Sequence, residues 1–296
     1  KSNPENTLFK NILKLISGEV SAEPSIFGGT IHHPAVHDID FGILAVFASL
    51  CALCYPFCTL RYTLAIPLPS NEKIGINALA ACLLILAGNT IIIGVSLGFF
   101  HSPILSFFAS EDIDAFWYFI PLAFFFHGTS EVLSYYATRY RDFSTIAKVT
   151  VTQKAIGALT KIVLGLLRFN VTGLLIGNIV AESGGLTLYI RTYWQKLKTG
   201  ACTVTPQKIH FVLKRYVNFP LYRVPSQLLL NASGSIPILY FAWHFGTGTT
   251  GLISLAITML SVPVAIDAHL WEELSTAKSH RWGGNAANGY PPSPQA

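Results

Sequence analysis

Apolar residues run through seven stretches of this chain with few interruptions: 41–60, 76–100, 115–138, 144–167, 171–192, 222–245 and 249–266. Each is close to the roughly 20 residues needed to cross a hydrocarbon layer as a helix. None alternates polar and apolar residues in the manner of a strand. The pattern predicts an all-α membrane protein, a polytopic helical bundle of about seven spans.

The intervening loops set the direction. Loop 61–75 carries Arg61 and Lys73, and 139–143 carries Arg139 and Arg141. The stretch 193–221 holds Lys196, Lys198, Lys208, Lys214 and Arg215. Loop 101–114 has no Lys or Arg, only Glu111, Asp112 and Asp114, and the turn 246–248 has no charge at all. Basic and non-basic loops therefore alternate, which places the basic ones on the cytoplasmic side. Trp117 and Trp243 fall at outer edges of spans, and Tyr140, Tyr193, Trp194 and Tyr222 at inner edges, as expected of interfacial aromatics.

The N-terminus breaks this scheme. Lys1, Lys10 and Lys14 favour the inside, yet the span beginning at Phe41 must start outside. A span between Lys14 and Phe41 would reconcile the two. The residues there include Glu19, Glu23, Pro24, His32, His33, His37, Asp38 and Asp40, so residues 1–40 read as a degraded or replaced first span. Pro34 prevents the three histidines from sharing one helical face, and a loop is expected there rather than a metal site. The expected organisation continues with an N-terminal bundle over 41–192 and a cytoplasmic basic linker over 193–221. The start of a second bundle occupies 222–267, and a polar, Gly/Pro/Asn-rich tail over 268–296 is expected to be disordered.

Composition agrees with the pattern. Hydrophobic residues make up 51% of the chain and charged residues only 12%, against about 25% charged in soluble domains. The net charge of +5 is accounted for by the inner loops, so no nucleic-acid partner is expected. Cys51, Cys54 and Cys58 lie inside an apolar run and read as small packing residues rather than metal ligands or disulfide partners. No phosphate-binding loop, dinucleotide fingerprint, metalloprotease helix or nucleophile elbow occurs, so neither an enzyme nor a cofactor is expected.

The informative residues are charges within the spans. Lys154 and Lys161 lie two turns apart on one face of 144–167, with Ala147, Thr150, Gly157, Ala158 and Gly165 on the same side. Each costs about 3 kcal/mol to place mid-membrane, which requires water or protein beside it. The next span carries Asn178, Glu182 and Gly185, and the turn near Asn170 makes the two spans a hairpin. Glu182 then lies at a depth between the two lysines, within about 6 Å vertically of either. Two outcomes stay open: an internal Lys–Glu pair that joins two helices, or a hydrated cationic cavity for an anionic substrate. His127 and Glu131 form an i, i+4 pair in 115–138, where Pro121 is expected to bend the helix. Pro225, Gln227, Asn231, Gly234 and Pro237 interrupt 222–245, a pattern found at transporter binding sites and also in plain helix packing.

A faint internal repeat, 42-GILAVFASL-50 against 251-GLISLAITM-259, suggests two related halves. The blocks 11-NILKLISG-18, 40-DFGILAVFAS-49, 60-LRYTLAIPLP-69, 135-YYATRYRDFSTIAKVTVTQ-153, 173-GLLIGNIVAE-182 and 218-NFPLYRVPSQLLLNA-232 resemble bacterial lipid-linked oligosaccharide flippases. These are polysaccharide biosynthesis proteins of the multidrug/oligosaccharidyl-lipid/polysaccharide exporter superfamily. The likeness covers about residues 8–265 with gaps. It implies two six-helix bundles around a central cavity in the bacterial cytoplasmic (inner) membrane. It also implies transfer of an undecaprenyl-pyrophosphate-linked repeat unit for O-antigen or exopolysaccharide, with an ion gradient for drive. Membrane lipids, a polysaccharide polymerase and a chain-length regulator are the other partners it implies.

On that reading Lys154, Lys161 and the motif arginines Arg61, Arg139 and Arg223 are the substrate-binding cations, and Glu131, Glu182 and His127 serve ion coupling. Arg61 and Arg139 also fit the inner ends of spans for charge-bias reasons alone. The likeness fails after Gly18 and again past Ala265, so truncation or frameshift and an incomplete copy are expected. A drug/cation antiporter of the same superfamily would need a net anionic cavity. A non-transporting scaffold of a polysaccharide assembly complex would pair both lysines with acids.

Overall fold

The computed structural model describes residues 38–69, 71–107, 114, 116–167 and 169–287. The expectations for 1–37, the three histidines among them, lie outside the described residues. The chain divides into two units, Lys1–Leu255 and Ala256–Ala296. In the second, the described backbone is helical as far as Ala287. Helix therefore occupies 268–287, where the sequence reads as coil. Ala268, Leu270, Glu272, Glu273, Leu274 and Ala277 are strong helix formers and outweigh the glycines that follow.

Helices and short helical turns make up the ordered elements, and no strand occurs among the described residues. Helix α1 spans Asp38–Cys54 and passes into a tight turn at Tyr55–Phe57, where Pro56 ends the α-helical pairing. A second tight turn, Tyr62–Ala65, leads to α2, Glu72–Phe107, which bends at Phe100. Helix α3 is Phe119–Arg139 and α4 is Phe143–Leu166. The span expected over 171–192 is two helices, α5 (Asn170–Ser183) and α6 (Leu186–Ala201), hinged at Gly184 and Gly185. Helix therefore runs well into the stretch read as a linker, which also contains the short basic α7, Pro206–Arg215. A wide helical turn at Phe219–Arg223 precedes α8, Val224–Ala287, which is broken at Gly246.

Among the described residues, four helical stretches are long and apolar enough to cross a membrane by themselves: Ile39–Phe57, Glu72–His101, Phe143–Leu166 and Val171–Ala201. Helix α3 falls short of that mark, because His127, Glu131 and its hydroxyl residues lower its mean hydropathy. The large apolar side chains left exposed on α2, α4 and α8, such as Ile91, Phe99, Leu159, Leu166, Leu229 and Trp243, are those a bilayer would cover.

Two proline expectations are corrected. Pro121 does not bend α3; it occupies the first turn, where the missing N–H has no intrahelical acceptor to lose. Pro237 and Gly234 do not interrupt α8. The helix passes through both and breaks at Gly246, whose φ of 81° is a conformation that suits glycine.

Among the described residues the core has two large apolar layers and a small third cluster of Cys58, Leu86 and Phe124. One joins Ile43, Val46, Phe47 and Leu50 of α1 to Phe119, Ile120 and Ala123 of α3, Leu175 and Ile179 of α5, and Leu239 and Ala242 of α8. The other joins Ile76, Leu79 and Cys82 of α2 to Val132, Leu133, Tyr136 and Ala137 of α3, Leu186, Tyr189 and Tyr193 of α6, and Val212 of α7. Helix α3 belongs to both layers, and between its two apolar segments lie His127 and Glu131. The spacing of the α1 residues, i, i+3, i+4 and i+7, is that of one buried helical face.

At the inner edge, polar and aromatic groups tie the second layer together. Asp142 caps α4 by accepting from the Thr145 N–H at 3.1 Å and the Thr145 hydroxyl at 2.6 Å, and it also accepts from the Tyr193 hydroxyl at 2.9 Å. Partial burial pushes its carboxyl up, but these hydrogen bonds and the nearby Lys148 charge hold it below the ordinary range. Lys196 sits 3.5 Å over the Tyr140 ring. Asn77, fully buried, donates to the carbonyls of Lys73 and Thr203 and accepts from the Thr205 N–H, which fixes the turn before α7.

Candidate functional site

The polar face of α3 is built at one-turn intervals: His127, Glu131 and Tyr135 follow one another at i, i+4 and i+8. The sequence suggests that His127 and Glu131 pair with each other. Instead each takes a partner from a different element. His127 Nδ1 lies 3.1 Å from Glu182 Oε2 of α5, and its ring stacks on Tyr55 at 3.7 Å between centroids. Glu131 Oε1 accepts from Arg61 Nη1 at 2.9 Å. The Arg61 and Glu131 side chains are only 20% and 17% exposed, so the pair is largely withdrawn from water.

Backbone geometry aims Arg61 inward. Leu60 and Arg61 both adopt left-handed conformations, with φ of 48° and 60°. That conformation costs a non-glycine residue about 1–2 kcal/mol, and two in succession reverse the chain between the turns at Tyr55–Phe57 and Tyr62–Ala65. The reversal brings the guanidinium under α3 beside Glu131.

Arg61 also lines a cavity of about 410 Å³. Its other walls are Leu64 and Leu68 of the same segment, Tyr135 of α3, and Phe219, Arg223, Ser226 and Gln227 from the start of α8 and the turn before it. The size lies within the ~300–1,000 Å³ of small-ligand pockets. Two guanidinium groups, an amide, a hydroxyl and a phenol converge there, and no carboxylate is among the lining residues. Arg223 makes no ion pair among the described residues. Two forked, permanently charged donors with neutral polar neighbours suit a phosphate or diphosphate group.

The cavity is joined to the first layer by a short polar chain. Gln227 Nε2 donates to Asn231 Oδ1 at 3.0 Å, and Asn231 Nδ2 donates to the Ala52 carbonyl at 2.7 Å. The Ala52 carbonyl needs that donor because the residue four positions on is Pro56, which has no N–H to offer.

The remaining charged candidates are placed as follows. Arg139 does not reach the cavity. It donates to the carbonyls of Ile66, at 2.8 Å, and Asn71, at 3.2 Å, and its guanidinium packs on Gly75, so it fastens the loop before α2. Lys154 is exposed on α4, and Lys161 is half-buried with its stem across Gly177 of α5. Neither forms an ion pair among the described residues.

The Lys–Glu pair that the hairpin would allow does not form, and the register explains why. Gly177 faces Lys161 and Ala181 faces Gly157, which brings Glu182 level with Gln153. Gln153 Nε2 donates to the Glu182 carbonyl at 3.0 Å and to Ser130 Oγ at 2.9 Å, and the carboxylate turns to His127 on α3. The cysteines of the first turns are free thiols, and Cys58 donates to the Phe124 carbonyl.

All eight cavity residues fall inside the segments 60–69, 135–153 and 218–232, three of the blocks that carry the sequence resemblance. Among known proteins, the family model described as polysaccharide biosynthesis protein matches residues 38–272. The match begins after the N-terminal block at 11–18 and extends beyond Ala265, where the resemblance was expected to stop. No curated protein and no solved structure matches the chain. With most of its length inside that family match, and with several helices fit to cross a membrane, the chain is a multi-pass membrane protein that belongs to the polysaccharide biosynthesis protein family.

Proposed function

We propose that this protein takes part in moving lipid-linked oligosaccharide units, carried on undecaprenyl pyrophosphate, across the bacterial inner membrane, and that it does so without chemical catalysis. The observation that carries the reading is the cavity walled by Arg61 and Arg223 between the start of the bundle and the start of α8. Its dimensions suit a diphosphate rather than a whole sugar repeat, so the headgroup would be held while the sugars extend beyond it. Bidentate arginine contacts supply both charge and orientation for such a group.

Lys154 and Lys161 are a second cationic station on this reading, apart from the cavity. The His127–Glu182 pair serves ion coupling, since it places a titratable ring against a carboxylate. A drug/cation antiporter is disfavoured by the excess of cations at the cavity. A scaffold is disfavoured by the two lysines, which it would hold in ion pairs. A polysaccharide polymerase and a chain-length regulator remain the expected partners in the membrane.

The test is reconstitution. In vesicles loaded with a fluorescent polyprenyl-diphosphate oligosaccharide, the protein is expected to make the inner-leaflet label accessible to an impermeant quencher. Quenching no greater than in protein-free vesicles contradicts the reading.

A further inference from the structure

Arg61 has two allegiances: it lines the cavity, and it is bonded to Glu131 behind the cavity wall. Glu131 itself is not among the lining residues. From this geometry we infer that Glu131 is a resident competitor for Arg61, a built-in counter-anion that keeps the grip on an anionic headgroup weak enough for release. The inference rests on the proposed role of the cavity and adds a function for a residue that a ligand need not touch.

The physical case has three steps. First, the pair is largely buried, and breaking a buried pair from one side leaves the other charge short of a partner. Glu131 satisfies Arg61, and a phosphate arriving at Arg61 provides the same service. The two anions are alternatives for one cation. Second, only the Nη1–Oε1 contact joins the pair, which leaves other guanidinium N–H groups for a ligand. Even where both anions bind together, a carboxylate a few ångströms away lowers the potential that the phosphate experiences. Both routes have the same sign. Third, among the described residues Glu131 has no second strong cation to move to. Its other ionisable neighbours are His127 and Tyr135 on its own helix, Cys58 beside the first turn and Cys82 on α2, and His127 is engaged by Glu182. Glu131 therefore reclaims Arg61 as the ligand leaves.

A purely structural role predicts the opposite. If Glu131 serves only to hold Arg61 in position, its loss disorders the guanidinium and weakens binding.

The experiment measures farnesyl diphosphate binding to the detergent-solubilised full chain and to four variants. Glu131→Gln, similar in shape and neutral, is expected to tighten binding about tenfold. Glu131→Asp, which keeps the charge but withdraws it by one methylene, is expected to fall between the two and provides a folded variant if the glutamine form is unstable. Arg61→Gln weakens binding. In the Arg61→Gln background Glu131→Gln tightens binding less than it does in the wild-type background, because the competition for Arg61 is gone and only the direct repulsion is left to relieve. Unchanged or weaker binding in both Glu131 variants, while Arg61→Gln still weakens it, overturns the competitor role alone. If Arg61→Gln has no effect on binding, the cavity reading itself fails.

Discussion

Replacing Arg61 and Arg223 together by glutamine is expected to lower the affinity for a prenyl diphosphate about a hundredfold or more. A charged hydrogen-bonding partner contributes about 1.5–3 kcal/mol, and two such losses at one ligand compound to at least that factor. The single variants should each lose part of the effect. Arg139→Gln should differ in kind: its guanidinium holds the Ile66 and Asn71 carbonyls, so loss of stability is expected in place of a specific loss of binding. Isothermal titration of the four variants, with a thermal unfolding midpoint for each, separates these outcomes. Equal diphosphate affinity in wild type and the double variant would remove the cavity from the account.

The second large effect concerns packing. Gly42 of α1 meets the Thr247 carbonyl and the Gly251 amide in the segment after Gly246, backbone against backbone. A Cβ there has no free space, and the obstructing atoms are main chain, which cannot rotate away. Small residues at such crossings are what allow membrane helices to approach. Gly42→Leu is expected to cost about 3 kcal/mol or more and to lower the thermal unfolding midpoint in detergent by about 10 °C. Gly88→Ala, on a part of α2 where an added Cβ meets nothing within 4 Å, should leave the midpoint unchanged or raise it slightly. Equal midpoints for Gly42→Leu and wild type would mean that the crossing is not part of the folded protein.

Most of the fold could be read from the sequence, because membrane spans have a strong one-dimensional signal. The run at 144–167 emerges as α4 with its ends shifted by one residue, the run at 76–100 emerges inside the longer α2, and the uncharged turn at 246–248 emerges as the break at Gly246. The errors lie where helix continuation depends on tertiary context. Pro237 removes one backbone donor, yet α8 continues through it. Pro121 looks like an interior kink only while the first turn of α3 is assigned too early.

The site was legible in part. Glu131, His127 and Glu182 stand out in the sequence as polar residues in apolar surroundings, and Arg61 and Arg223 enter through the motif blocks of the resemblance; the two arginines line the cavity, and Glu131 lies beside Arg61. Their pairing did not follow from spacing. Periodicity places His127 and Glu131 on one face but cannot say which neighbouring helix supplies each partner. Tyr55, stacked on His127, carried no signal because it lies in a turn. Asn231 did have one: Pro56 orphans the Ala52 carbonyl, and a buried amide is the natural donor to look for. Lys154 and Lys161, the most conspicuous intramembrane charges in the sequence, are not cavity residues.

The most direct measurement maps the headgroup. A prenyl diphosphate with a photoreactive group on its terminal phosphate is bound to the full chain and irradiated, and the labelled peptides are identified. Labelling within 60–69 and 219–227, competed away by farnesyl diphosphate, is the predicted result. Labelling confined to other helices, or insensitive to the competitor, would contradict it.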